Sequence, residues 1–227
     1  MILMCVDTSG PSAGLALVRD GELIYEATLV NSLTHSVNLL PMAEEALRSS
    51  GLEMKDIGLF AAVAGPGSFT GVRIGVAAVQ GMAQGLNKLC LPVNALEALA
   101  FGLLSDEYIV CPIRDARAGQ VYGAAFRAGR RLMEDAVIKL PEYLEEIRPM
   151  GERFVFTGDG VPVSREKIME ALGERAAFSP PHLSLLKAGS AAMIAWEKRD
   201  QAVQPHELLP LYLRRPQAER EREAHNG

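Results

Sequence analysis

Apolar and polar positions fall into blocks along this chain, and the spacing within the blocks changes in a regular order. Residues 2–6, 14–18 and 23–30 are short apolar runs separated by Ser9-Gly10-Pro11 and Arg19-Asp20-Gly21, which predicts three strands joined by turns. Asp-Gly between two such runs is a strong hairpin signal. From 36 to 50 the period lengthens to that of a helix, with Gly51 placed where a left-handed cap belongs. A strand over 59–64, a helix over 68–85, a short strand over 90–93 and a helix over 95–104 follow. The pattern then restarts. Residues 108–113 form an apolar run closed by Arg114-Asp115, strands are expected over 120–126 and 132–140, and residues 154–157 with Gly158-Asp159-Gly160 read as a further strand and turn. Trp196 falls on a late helix and is expected in the core.

The restart can be tested by superposition. Shifted by 108 residues, Asp7 lands on Asp115, Ala16 on Ala124, Arg19 on Arg127, Gly21 on Gly129 and Glu26 on Glu134. Two similar meanders can share such positions through hairpin chemistry alone, but duplication accounts better for the repeated order of elements. It predicts two lobes, residues 1–105 and 106–227, each a mixed sheet with helices in β-β-β-α-β-α order. The Asp7 and Asp115 turns become equivalent features of the two lobes.

The most distinctive stretch runs from Gly65 through Pro66, Gly67, Ser68, Phe69, Thr70, Gly71, Val72, Arg73 and Ile74 to Gly75, after an apolar strand and at the opening of a helix. It is not a Walker A loop, because the later Gly and the Lys-Ser/Thr pair are missing, and its glycine spacing misses G-x-G-x-x-G by one residue. A Gly-rich strand-to-helix turn exposes backbone N–H groups to an anion; a tight turn capped by Ser68 or Thr70 explains the same residues. The helix that follows carries Gly71, Gly75, Gly81 and Gly85, which at about 0.8–1 kcal/mol each relative to Ala would destabilise it by about 3–4 kcal/mol if nothing compensated. Gly71 and Gly75 form one i, i+4 row; Ala77, Gly81 and Gly85 form another. Packing on the protein's own sheet explains one row, and a partner helix the other. In the preceding helix Leu39, Met42 and Ala46 share one stripe and Val37, Leu40, Ala43 and Leu47 a neighbouring one, an arc wider than one core face needs. Leu39, Met42, Ala46, Gly71 and Gly75 are therefore expected at a two-helix docking surface, although the first lobe alone can also use the extra width.

Composition narrows the classes. The 227 residues are 48% hydrophobic and 22% charged, an ordinary globular balance, and 23 basic against 28 acidic residues leave a net charge of −5, too negative for the chain itself to supply the field that dominates nucleic-acid binding. Arg214, Arg215, Arg220 and Arg222 near the end are mixed with Glu219, Glu221 and Glu223, a pattern that suits a solvated tail or an RNA contact. No run reaches the length of a membrane span, and the first residues lack the basic region of a signal peptide, so a cytoplasmic protein without membrane contact is expected. Cys5, Cys90 and Cys111 lie in separate apolar runs, as reduced, buried thiols do.

Taken in order, Val6-Asp7-Thr8-Ser9, Thr34-His35-Ser36, Leu39-Leu40-Pro41, the Gly65 to Gly75 stretch, Asp115-Ala116-Arg117 with Val121-Tyr122, Gly158-Asp159-Gly160 and Pro210-Leu211-Tyr212-Leu213-Arg214 resemble the TsaB (YeaZ) family over essentially the whole chain. The resemblance implies a two-lobed actin-like ATPase (ribonuclease H-like) α/β fold and a role in tRNA threonylcarbamoyladenosine synthesis. That role is as non-catalytic scaffold to a TsaD-type threonylcarbamoyltransferase, with a TsaE-type ATPase joining, tRNA met mainly through the complex, and a homodimer when the partner is absent. The TsaD-type relative binds a metal through His-x-x-x-His. Here His35 sits near the equivalent place, but four positions later stands Leu39, so no metal and no cofactor are expected. Asp7, Ser9 and Asp115 can line a vestigial nucleotide cleft, and turn capping explains both aspartates equally well. Two rival readings share the fold, a glycoprotease-like hydrolase and a small-molecule kinase. The first needs a nucleophile beside a base and the second a phosphate-binding turn in each lobe; neither can be pointed to in the sequence.

Overall fold

The computed structural model describes residues 1–31 and 34–213. The apolar runs become strands that are covered on both faces, every residue over 3–7, 13–18 and 59–65 being buried, and two five-stranded mixed sheets result. β1 (Ile2–Asp7), β2 (Ala13–Arg19) and β3 (Glu22–Leu29) form an antiparallel meander, and β4 (Ile57–Gly65) and β5 (Leu89–Asn94) add in parallel beside β1, giving the order β3-β2-β1-β4-β5. The second sheet repeats this with β6 (Ile109–Asp115), β7 (Gln120–Arg127), β8 (Arg130–Lys139), β9 (Phe154–Thr157) and β10 (Ala176–Phe178) in the order β8-β7-β6-β9-β10. The repeat extends to the turns. Asp20 and Gly21 join β2 to β3 with φ of 51° and 91°, and Ala128 and Gly129 join β7 to β8 with 48° and 77°. Two positive-φ residues in a two-residue loop match the right-handed twist of the flanking strands.

Helices cover the sheets in five layers. α1 (His35–Ser50) and α2 (Phe69–Leu86) lie on the outer face of the first sheet, and α4 (Leu140–Ile147) and α5 (Val161–Leu172) pack with the second. Between the sheets lie α3 (Ala95–Phe101) and α6 (Ala188–Glu197), in one apolar cluster that takes Leu3, Cys5 and Ala16 from the first sheet and Val110, Ala124 and Phe126 from the second. α3 follows the first sheet in the chain yet contacts β6 and β7, whereas α6 follows the second and packs on β1, β2 and β3. A boundary at 105/106 thus separates the two sheets along the chain without separating their cores. Beyond α6 the chain stays with the first lobe: Val203 pairs with Cys90, Gln80 donates to the carbonyls of Pro205 and Leu208, and Leu211 N donates to Ala64 O. Trp196 is half-buried, against the hairpin at Gly21.

The strand and helix periods place these elements within a few residues of expectation. α4, α5 and β10 fall outside the expected elements: Leu140, Tyr143, Leu144 and Ile147 do give α4 a helical period, the buried stripe of α5 is interrupted by Ser164, and Ala176–Phe178 is a three-residue edge. All three cysteines are buried free thiols; burial pushes Cys90 up to about 11 and Cys111 up to about 12, and raises Cys5 strongly. Among the described residues no helix is long and apolar enough to cross a membrane.

The glycines of α2 meet different surroundings, Gly71 and Gly75 being buried and Gly81 and Gly85 exposed. A Cβ on Gly71 would stand 2.0 Å from Thr8 O and one on Gly75 2.5 Å from Thr8 Oγ1, so this row lets α2 approach the end of β1, where Thr8 Oγ1 donates to Gly71 O at 2.7 Å. Among the described residues, a Cβ on Gly81 or Gly85 would meet nothing within 4 Å. Opposite responses to alanine follow. Gly71→Ala, forced against backbone, should lower the thermal midpoint by about 4–10 °C, whereas Gly81→Ala should raise it by about 2–4 °C, since it gains about 1 kcal/mol of helix propensity at no steric cost. Calorimetry of the two variants checks both signs.

Candidate functional site

The two lobes meet where β1 and β6 end. Asp7 caps the turn it opens, its Oδ1 accepting from Ser9 N at 2.8 Å and from Ser9 Oγ at 2.6 Å. Asp115 does the same one repeat later, accepting from Arg117 N at 2.8 Å. The two hairpin turns and the Gly65–Ser68 turn border an interlobe cleft of about 1140 Å³ lined by Ser9, Ser68 and Thr70 on one side and by Asp115, Arg117, Tyr122 and Asp159 on the other, with Leu211 to Leu213 at its edge. Ser68 caps α2, its Oγ accepting from Gly71 N at 3.2 Å.

The inner end of this cleft is filled by the protein itself. Arg114, 3% exposed, donates from Nη1 to Ser9 Oγ at 2.8 Å and to Pro66 O at 3.1 Å, and from Nε and Nη2 to the Asp159 carboxylate at 3.1 and 3.4 Å. One guanidinium thereby joins both lobes through its planar fork. A Cβ at Gly67 would lie 2.7 Å from Nη1, so a side chain there would displace it. Behind Arg114, Asp7 is fully buried and does not line the large cleft; it borders a void of about 10 Å³ beside Ser12, Ser184 and Leu186, and its Oδ2 has no hydrogen-bond partner. Burial raises the Asp7 pKa above the ordinary carboxylate range, opposed in order by the Arg114 charge, the Ser9 hydrogen bonds and His35. Of the three residues expected at the cleft, Ser9 and Asp115 line it and Asp7 stands behind.

His35 opens α1, and its Nε2 pairs with Gly10 O at 2.9 Å, which holds the ring against the Asp7 turn. Leu39, one turn later, is core. Among the described residues no three His, Cys, Asp or Glu side chains converge as metal ligands, and no histidine hydrogen-bonds a serine or cysteine.

Comparison with known proteins joins this geometry to a family. A protein-family model described as "TsaD: tRNA N6-adenosine threonylcarbamoyltransferase" matches residues 29–222. The tRNA threonylcarbamoyladenosine biosynthesis protein TsaB of Bacillus subtilis is 30% identical over 223 residues, covering 96% of both chains. The chain belongs to the TsaB family. The Escherichia coli TsaB protein is 31% identical over 70% of this chain and 72% of its own. YeaZ from Pseudomonas aeruginosa superimposes with a TM-score of 0.73 at 27% identity, over 93% of this chain and 99% of that one. At 14% identity, the ethanolamine utilization protein EutJ from Carboxydothermus hydrogenoformans shares the fold with a TM-score of 0.51, covering 85% of this chain and 89% of its own. The two lobes expected from the duplication, in the actin-like ATPase architecture that the TsaB resemblance implies, are the ones observed.

The TsaB-like motifs mostly build the lobe junction, and the five residues expected at a two-helix docking surface lie inside the chain. Leu39, Met42 and Ala46 face the core between α1 and the first sheet, and Gly71 and Gly75 are pressed on Thr8, so none of the five is available to a partner. The buried arc takes Ala43 and Leu47 as well, because α1 lies across β2 and β3. What stays outside is Val37, 56% exposed, and Leu40, 58% exposed, with Ala77, Gly81 and Gly85 of α2. Arg114 was legible only as the charged end of an apolar run. A sharper signal is its place in the repeat, since 108 residues earlier stands Val6. The arginines at 214, 215, 220 and 222 lie outside the described residues.

Two outcomes follow from this junction. Arg114→Met keeps the bulk but leaves Asp159 and Ser9 without their donor; losing one side of a buried pair should cost about 3 kcal/mol, the lower end for such pairs because Asp159 is partly exposed, read as a fall in urea midpoint. Asp7→Asn tests the buried carboxyl. A raised folded-state pKa favours the protonated form, so the carboxyl's contribution is fully present below the unfolded pKa and is lost as pH rises through the folded one. The Asn variant should match or exceed the native chain in stability at pH 7–8, with its advantage shrinking steadily as melts are repeated toward pH 4.

Proposed function

We propose that this chain serves in tRNA threonylcarbamoyladenosine synthesis as the non-catalytic partner of a TsaD-type threonylcarbamoyltransferase. The observation that carries the reading is the inner end of the cleft: where a catalytic relative would need room for a nucleotide's phosphates and a metal, the Arg114 guanidinium lies between Ser9, Pro66 and Asp159. His35 is paired with a backbone carbonyl and Leu39 takes the place of the second histidine. The docking face in this reading is the outward side of α1 and α2, with Val37, Leu40, Ala77, Gly81 and Gly85. Nothing among the described residues uses the two exposed glycines of α2, and small residues let another backbone approach closely. A TsaE-type ATPase joins the assembly, tRNA is met through the complex, the free chain pairs with itself through the same face, and the chain works in the cytoplasm.

Reconstitution tests the role. Purified TsaD-type, TsaE-type and adenylate-supplying proteins with unmodified tRNA should yield threonylcarbamoyladenosine only when this chain is added, and the chain alone should yield none. Product without the chain ends the scaffold reading; product from the chain alone ends the non-catalytic one. Gly81→Trp, with open space around its Cβ, should keep the native thermal midpoint within a few degrees and abolish co-elution with the TsaD-type protein.

A further inference from the structure

The outward row of α2 starts with two residues unlike the rest. Phe69, Arg73, Ala77, Gly81 and Gly85 succeed one another at four-residue steps on that helix. Arg73 is exposed yet held in place. Its guanidinium carbon lies 3.8 Å from the Phe69 ring centroid and 5.7 Å from that of Tyr212, its Nε donates to Tyr212 Oη at 2.7 Å, and the two rings stand 5.2 Å apart. Tyr212 is fixed in turn by the segment from Pro205 to Leu211, which is hydrogen-bonded to Gln80 and Ala64. No carboxylate among the described residues pairs with Arg73. An arginine whose rotamers are already restricted by stacking has lost part of the freedom that binding would otherwise remove, and arginine and tyrosine are the residues enriched where interfaces are strongest.

We propose that Arg73 is the polar anchor of the docking face, pairing with a carboxylate on a helix of the TsaD-type partner that lies along Ala77, Gly81 and Gly85. The proposal rests on the docking reading above and adds the chemistry of what docks. A partner covering this row strips water from an unneutralised guanidinium, which is costly unless the partner brings an anion. A single carboxylate suits the surroundings better than a phosphate backbone. The following positions, Ala77, Gly81 and Gly85, offer no second cation, and the exposed side of neighbouring α1 carries Glu44 and a Glu45–Arg48 ion pair, with no net positive charge.

Titration of the full-length chain with the TsaD-type protein, at several salt concentrations, decides the matter. Arg73→Met, which keeps the stem on both rings, should retain the thermal midpoint, bind at least tenfold more weakly and flatten the salt dependence of Kd. Arg73→Lys, which keeps the charge without the fork, should recover part of the loss. If Gly81→Trp blocks binding while Arg73→Met stays within twofold of the native chain with an unchanged salt slope, the anchor is overturned and the docking face stands. If Gly81→Trp binds normally, the face falls and the anchor with it. Loss of tRNA binding by Arg73→Met with protein affinity intact, or loss of self-association alone, would assign Arg73 to a phosphate or to a second copy and overturn the proposal.

Discussion

Neither sheet has an inner covering of its own. α3 and α6 form a single layer between them, each helix reaching the sheet of the opposite half, so that burial of Leu3 and Ala16 and burial of Val110 and Phe126 are parts of one apolar cluster. Interiors this closely packed do not deform continuously, and sliding one sheet against the other would open voids along both helices. The ends of β1 and β6 are therefore held at fixed separation before any polar contact is made there. Arg114 occupies a gap whose dimensions the core has set, and its four hydrogen bonds can be short and simultaneous because their acceptors do not have to be gathered.

Besides the shared core, a side chain joins the two lobes: Arg114 reaches from the second sheet to Ser9 and Pro66 of the first while holding Asp159 of its own half. A buried ion bridge is weak support for net stability, since desolvation offsets most of its attraction, but it is directional, and it fixes the β6 turn relative to the β1 turn. Asp7 shares in the cost: its Oδ2 is left without a partner, and its charged form is disfavoured by burial more than Arg114 favours it. The duplicated turn chemistry is present in both halves, while the residue before the aspartate is Val6 in the first and Arg114 in the second.

The sequence displayed the repeated meander because its cues are local: short apolar runs, Asp20-Gly21 and Ala128-Gly129 in two-residue loops, and Gly51 at a helix end. It showed Asp7, Ser9 and Asp115 for the same reason, as turn residues. It hid the direction of side chains on helices with apolar residues around most of their surface. In α2 both glycine rows looked alike, and only the position of Thr8, 63 residues away in the chain, determines that Gly71 faces inward and Gly81 outward. In α1 the angle at which the helix crosses β2 and β3 decides that Leu39 is core and Leu40 surface. Arg114 and Arg73 gain their meaning from Asp159 and Tyr212, partners no spacing rule links to them.

Gly81 and Gly85 also bear on the chain's life without a partner. An exposed helix that carries two glycines opens more readily than one with alanine in their place, and each local opening exposes backbone to cleavage. A protein that covers these positions closes that route, and by mass action it raises the fraction of molecules that remain folded. Under the docking proposed above, turnover of the chain would be linked to the supply of the TsaD-type protein through two missing methyl groups.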